Sequence, residues 1–144
     1  MIQGVKTIPI LTHKDNRGFF REVFRFQEQF ADISIGQLSH SVVNQGIIKG
    51  WHGHEYQSQW NYVIQGSAKV VLKDVRKDSA TYGLIQKIQA NEENPIGYFF
   101  PAGVLHGYFC EKGPMHIIYV TSGTYDLSDE IRIDDNELYE IIKL

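Results

Sequence analysis

What most constrains this chain is its punctuation. Runs of alternating polar and apolar residues are cut about every ten residues by Gly, Pro, Asn or Ser, and none grows to helical length. Segments 60–64 (WNYVI), 68–75 (AKVVLKDV), 84–88 (LIQKI), 97–100 (GYFF) and 116–121 (HIIYVT) read as strands, with a turn expected at Gln65-Gly66-Ser67. The best helical window, 23–30 (VFRFQEQF), alternates and fits a strand at least as well. About eight or more short strands at this spacing predict an all-β sandwich or barrel. A length of 144 residues without linker, repeat or low-complexity segment predicts a single domain, 1–144.

Charge narrows the function. Fourteen Lys and Arg against 17 Asp and Glu leave a net charge of −3, which speaks against a dedicated nucleic-acid binder. With 22% charged and 42% hydrophobic residues the chain has the composition of a folded protein rather than a disordered one. Cys110 stands alone, so neither an intramolecular disulfide nor a zinc knuckle is expected. No apolar run approaches the ~18 residues of a membrane span, and residues 1–18 lack the apolar stretch of a secretory leader. The expectation is a cytoplasmic protein with no membrane or nucleic-acid partner.

Chemistry is concentrated between residues 46 and 66 (GIIKGWHGHEYQSQWNYVIQG). His52 and His54 are one residue apart, so on a strand both rings face the same side. Gln59 follows, and Pro101-Ala-Gly103-Val-Leu-His106 brings a third His to a strand start. Three imidazoles from two strands suit a barrel mouth, a preferred place for ligands. The plainer reading is three hydrogen-bonded surface histidines.

Gly-x5-His-x-His-x4-Gln-x6-Gly followed by Pro-x-Gly-x2-His resembles the two-part signature of cupins, which implies a double-stranded β-helix, or jelly roll. In metal cupins the ligands are three His and a Glu, so the resemblance implies His52, His54, Gln59 and His106 as the set for a metal, with the neutral amide a weak fourth ligand. A longer resemblance is to the dTDP-4-dehydrorhamnose 3,5-epimerase family. Asp15-Asn-Arg17-Gly-Phe-Phe20-Arg-Glu22 is similar to its D-x-R-G-x-F-x-E opening, and Gln37-Leu-Ser-His-Ser41 with Gly46-Ile-Ile-Lys49-Gly-Trp-His52 to its Q-x-N-x-S and G-V-x-R-G-L-H. Segments 74–83 (DVRKDSATYG), 100–108 (FPAGVLHGY) and 131–138 (IRIDDNEL) resemble three further family blocks, and Tyr119 and Tyr125 fall at two family tyrosines. The likeness runs from about residue 12 to 142.

The resemblance implies a metal-free, cofactor-free epimerase acting beside the ketone of a nucleotide-diphosphate-linked 4-keto-6-deoxyhexose. His52 would be the base and Tyr119 the opposing acid, with Asn61 and His106 donating to the enolate oxygen. Arg17 and Lys49 would meet the diphosphate, Phe20 and Tyr125 the base, and Glu22 and Gln37 would hydrogen-bond it, with His54 and Gln59 lining the sugar site. It also implies a homodimer that exchanges N-terminal strands. The chain departs from the family at Asn61 (family Lys), Lys49 (family Arg) and Ser39 (family Asn), and as read it ends before the segment carrying the Asp that orients the family's His; Asp74 is one candidate to replace that group. His54 resembles instead the H-x-H of nucleotide-sugar 3,4-ketoisomerases. Ketoisomerisation, a metal-dependent cupin reaction and non-catalytic sugar-nucleotide binding are the alternatives.

Overall fold

The structure is a computed structural model and describes residues 1–134 and 136–143. Two long antiparallel strands organise it: β6 (Gln59–Asp74) and β9 (Val104–Thr121), paired from Gln59↔Thr121 to Asp74↔Val104. Each half of this pair has its own neighbours. The Gln59 end of β6 pairs with β8 (Ile96–Phe100), which pairs with β1 (Lys6–Pro9), while the matching end of β9 pairs with β4 (Gln37–Val43). At the other end β6 pairs with β7 (Ile85–Asn91), and β9 pairs with β5 (Ile48–His54), which pairs with β10 (Glu130–Arg132). The outcome is two antiparallel sheets sharing two strands, the jelly roll expected from sequence.

The predicted turn at residues 65–67 is not a turn. Runs 60–64 and 68–75 lie mostly within β6, and the register shifts between Val63 and Ala68 as the strand passes from one sheet to the other. Gly66 has φ +85°, and a Cβ there would collide with the Lys112 carbonyl of β9. A Gly inside a strand pattern here marks a bulge and a close backbone approach.

Two helices were not anticipated. Residues 23–30 form no strand; they enclose the single turn α1 (Phe26–Gln29). Phe24, Phe26 and Phe30 pack on Trp60 and Phe99 from outside the first sheet. The second helix, α2 (Asn136–Lys143), buries Leu138 and Ile142 on Trp51, Val71 and Leu105 of the other sheet. Leu138, Ile141 and Ile142 have i, i+3, i+4 spacing, but over eight residues the signal is too short to stand out. Asp135, part of the 131–138 block, lies outside the described residues. Among the described residues no helix is long and apolar enough to cross a membrane.

A hairpin of β2 (His13–Asp15) and β3 (Gly18–Phe20) stands apart from both sheets. Arg21 moors it: its guanidinium donates to Thr12 Oγ1, Tyr62 Oη and the Glu92 carbonyl and lies over the Phe19 ring.

The 74–83 block builds a bracket rather than a reactive site. Buried Asp74 accepts hydrogen bonds from Arg76, Ser79 and Thr81 at 2.6–2.8 Å, so its carboxyl is held well below the usual range, first by Arg76 and then by the two hydroxyls. A folded-state value below the unfolded ~3.9 means that this stability is present above that pH and fades as pH falls below it. Breaking a buried ion pair typically costs about 3–5 kcal/mol. Asp74→Asn is therefore expected to lower the urea midpoint markedly at pH 7 and to leave a shallower fall in stability below about pH 4; an unchanged midpoint would show that the bracket is dispensable.

Candidate active site

Alternation along the strands aims one set of side chains inward, where they line a cavity of about 290 Å³ between the sheets. From β5 come Lys49, His52 and His54; from β6, Gln59 and Asn61; from β4, Gln37 and Ser41; from β9, His106, Tyr108 and Tyr119. Tyr98 of β8 and the loop residues Tyr125 and Asp126 complete much of the wall. Nine of the twelve residues singled out from sequence thus meet in one place: Gln37, Lys49, His52, His54, Gln59, Asn61, His106, Tyr119 and Tyr125. His52 and His54 do share a face, as their spacing predicts.

Arg17, Phe20 and Glu22 do not reach this cavity within the chain. Arg17 sits at the tip of the β2–β3 hairpin, its side chain 85% exposed and paired with Asp15. Phe20 is 62% exposed on the same hairpin. Glu22 is paired with Arg25 beside α1. Asp74 is likewise committed to its own bracket and does not line the cavity.

The two sheets contribute different chemistry. His52, His54 and His106 come from the sheet of β5, in which His52 and His106 are cross-strand partners with ring centroids 6.2 Å apart. Tyr119, Asn61, Gln59 and Gln37 come from the other sheet, where Tyr119 opposes both Ser39 and Asn61. Asn61 is fixed in place: its Oδ1 accepts from Gln59 Nε2 at 2.7 Å and its Nδ2 donates to the Tyr98 carbonyl at 3.4 Å. Gln37 donates to Ser39 Oγ and accepts the Tyr125 backbone N–H, tying β4 to the loop that carries Tyr125. Among the described residues no three His, Cys, Asp or Glu side chains converge to hold a metal ion.

Sequence reasoning missed Tyr108, Tyr98 and Asp129. Tyr108 follows His106 by two residues and so faces the same side, a signal the alternation rule could have supplied. Burial raises its phenol to about 12, with the neighbouring Tyr119 adding to the effect. Asp129 carries no such signal: it lies in a short 3-10 turn (Leu127–Asp129) and reaches His54 only through the folded chain, its Oδ2 3.4 Å from His54 Nδ1.

His106 is a strongly perturbed imidazole. Burial lowers it to about 3, and the adjacent His52 and His54 add to the shift by repelling a third positive charge. It is neutral at neutral pH, suited to share a hydrogen bond and not to store a proton. Because the unfolded chain binds this proton from about pH 6.5 downward and the folded chain does not, stability falls as pH drops below that value. His106→Gln is expected to flatten this decline by up to about 1.4 kcal/mol per pH unit in urea melts between about pH 6 and 4. Equal slopes in the two proteins would show that His106 protonates as easily folded as unfolded.

Comparison with known proteins gives this geometry a family. The model of the dTDP-4-dehydrorhamnose 3,5-epimerase family matches residues 1–141. The chain is 41% identical over 136 residues to the spore coat polysaccharide biosynthesis protein SpsL of Bacillus subtilis, covering 92% of this chain and 89% of that protein. It is 31% identical over 129 residues to a dTDP-4-dehydrorhamnose 3,5-epimerase of Methanothermobacter thermautotrophicus, covering 86% and 70% of the two chains. The crystal structure of ChmJ, a 3'-monoepimerase of Streptomyces bikiniensis in complex with dTDP-quinovose, superposes with a TM-score of 0.90 at 23% identity, over 99% of this chain and 76% of that one. A jelly roll with imidazoles on one wall and a tyrosine on the other, matched by the family model over nearly its whole length, places the chain in the dTDP-4-dehydrorhamnose 3,5-epimerase family.

Proposed function

We propose that the protein epimerises a dTDP-linked 4-keto-6-deoxyhexose by removing and returning a proton on a carbon beside the ketone. The observation that carries this reading is the placement of His52 and Tyr119 on opposite walls of one cavity. Inversion needs a base on one face of the sugar ring and an acid on the other. His52 takes the carbon-bound proton, the C–H electron pair becomes the enolate double bond, and the carbonyl π pair moves to oxygen. Tyr119 then protonates the carbon from the far side. Asn61 and neutral His106 are placed to donate to the enolate oxygen, replacing the family's charged lysine by weaker neutral donors. Lys49, Gln37 and Tyr125, toward the rim, suit the nucleotide end of the substrate.

The same proposal assigns Arg17, Phe20 and Glu22 to a second copy's cavity. A two-stranded hairpin is at best marginally stable by itself, and this one displays Phe19 and Phe20 at 60% and 62% exposure. The outer face of β4 also exposes Leu38 and Val42. A homodimer that seats each hairpin on its partner covers both surfaces and brings Arg17 to the diphosphate. A cytoplasmic place in supplying sugars for surface polysaccharide follows from the substrate class and from the likeness to SpsL.

In deuterated water with a dTDP-4-keto-6-deoxyhexose, wild-type protein is expected to place deuterium on the carbon beside the ketone. His52→Asn should slow this exchange about 10²–10⁴-fold. Tyr119→Phe should still exchange but yield no inverted product, because only the far-side acid is gone. A product with its ketone moved to C3, visible by NMR, would mark a ketoisomerase instead.

Arg17→Ala is expected to weaken substrate binding by about 1.5–3 kcal/mol, the worth of a hydrogen bond to a charged group. Mixing Arg17→Ala with His52→Asn chains should restore activity, since a heterodimer holds one cavity with an intact base and an intact partner hairpin. No recovery on subunit exchange would place Arg17 outside the partner's site.

A further inference from the structure

We infer that His54 is a second general base in the cavity and that Asp129 is its positioning residue; this deepens the epimerase reading and rests on it. Asp129 is 2% exposed, and its two carboxylate oxygens have different duties. Oδ1 accepts the Tyr56 backbone N–H at 2.7 Å. Oδ2 lies 3.4 Å from His54 Nδ1, and each of these two atoms is buried with no hydrogen bond elsewhere. Their separation suits an ion pair and is longer than a tight hydrogen bond. Two buried orphans that face each other are both satisfied by one proton on Nδ1, and leaving them unpaired costs free energy. Catalytic hydrogen bonds are often long in a ligand-free protein and tighten when substrate binds.

The consequence lies at the other edge of the ring. His54 lines the cavity and its side chain is 21% exposed, while Nδ1 is buried. A proton fixed on Nδ1 by the carboxylate leaves Nε2 as a lone-pair acceptor. When Nε2 takes a carbon-bound proton, the C–H electrons pass into the enolate, and the positive charge on the imidazolium is matched by buried Asp129. The carboxylate thus sets the tautomer and steadies the charged product of proton transfer, as in a Ser-His-Asp triad. His54 stands two residues from His52 on the same strand face, so the wall offers two bases along one edge of the sugar ring.

Asp129→Asn tests the pair sharply because the Tyr56 N–H selects the amide's orientation. Its oxygen keeps the Oδ1 place, so the NH2 occupies the Oδ2 place and donates to His54 Nδ1. The proton is thereby forced onto Nε2, the wrong tautomer. Long-range ¹H–¹⁵N NMR is expected to report His54 as Nδ1–H in wild type and Nε2–H in Asp129→Asn. With a dTDP-4-keto-6-deoxyhexose, Asp129→Asn and His54→Gln should both lose about 10²–10⁴-fold in kcat for deuterium exchange at one of the two carbons beside the ketone, the one His52 does not serve, with KM changed only a few-fold. The same tautomer in both proteins, or full kcat in either variant, overturns the inference. If wild type exchanges no 4-keto sugar the epimerase reading fails, yet the tautomer comparison, made on free protein, still decides the dyad. An Asp129→Asn chain that melts early is replaced by His54→Gln, whose side chain is not buried and whose retained kcat would be equally decisive.

Discussion

Everything in this protein hangs on the ladder between β6 and β9. Fourteen cross-strand partners tie the two strands, yet the ladder is not uniform. Its break between Val63 and Ala68 lets the same two strands serve two sheets, because a bulge bends a strand and increases its twist. Without the break, Tyr119 and His106 would project from one continuous surface. With it, they stand in different sheets around one space, and a reaction that needs groups on both faces of a sugar ring has somewhere to happen. The β6 alternation then fills the interior on both sides of the bend, with Val63, Val70 and Leu72 buried in one apolar cluster.

Electrostatic crowding shapes the cavity next. Three imidazoles gather on one wall, and burial with mutual repulsion keeps His106 uncharged. That allows a neighbour to take up a proton without meeting a fixed positive charge beside it. Burial likewise keeps the phenols of Tyr98 and Tyr108 protonated, so neutral hydroxyls stand in both sheets around the space. Buried Asp129 stands beside His54 as a carboxylate drawn close to an imidazole.

Much of this was legible in the sequence, and the limits have physical reasons. Alternation on β5 put His52 and His54 on one face, and the ordered family motifs placed Tyr119, Asn61, Gln37 and Lys49 in the same site. Gly66 misled because a glycine with positive φ serves a bulge as well as a turn, and only the distant β9 backbone decides between them. Residues 23–30 misled because their phenylalanines answer to Trp60 and Phe99, far away in sequence, and not to their own alternation. The partner of His54 was invisible for the same reason: Asp129 is brought to it by the β5–β10 pairing. Arg17 and Phe20 carry family motifs yet sit exposed on a hairpin outside the cavity lining, since a motif does not say where a hairpin of two three-residue strands will lie.

The long ladder also sets the order in which the molecule assembles. Asp74 and Val104 are thirty residues apart in sequence, whereas Gln59 and Thr121 are sixty-two apart. Closing the inner end first and zipping outward adds only about 0.6 kcal/mol of loop entropy for that doubling. Starting from the outer end meets the larger entropy loss before any reward. The Asp74–Val104 end of the β6–β9 ladder is therefore expected to close before the strand ends carrying Asn61 and Tyr119. Pulse-labelled hydrogen exchange would reveal this as earlier protection of Val70 and Val71 than of Trp60 and Val120; the reverse order would refute it. Distant contacts dominate this fold, a topology that folds slowly.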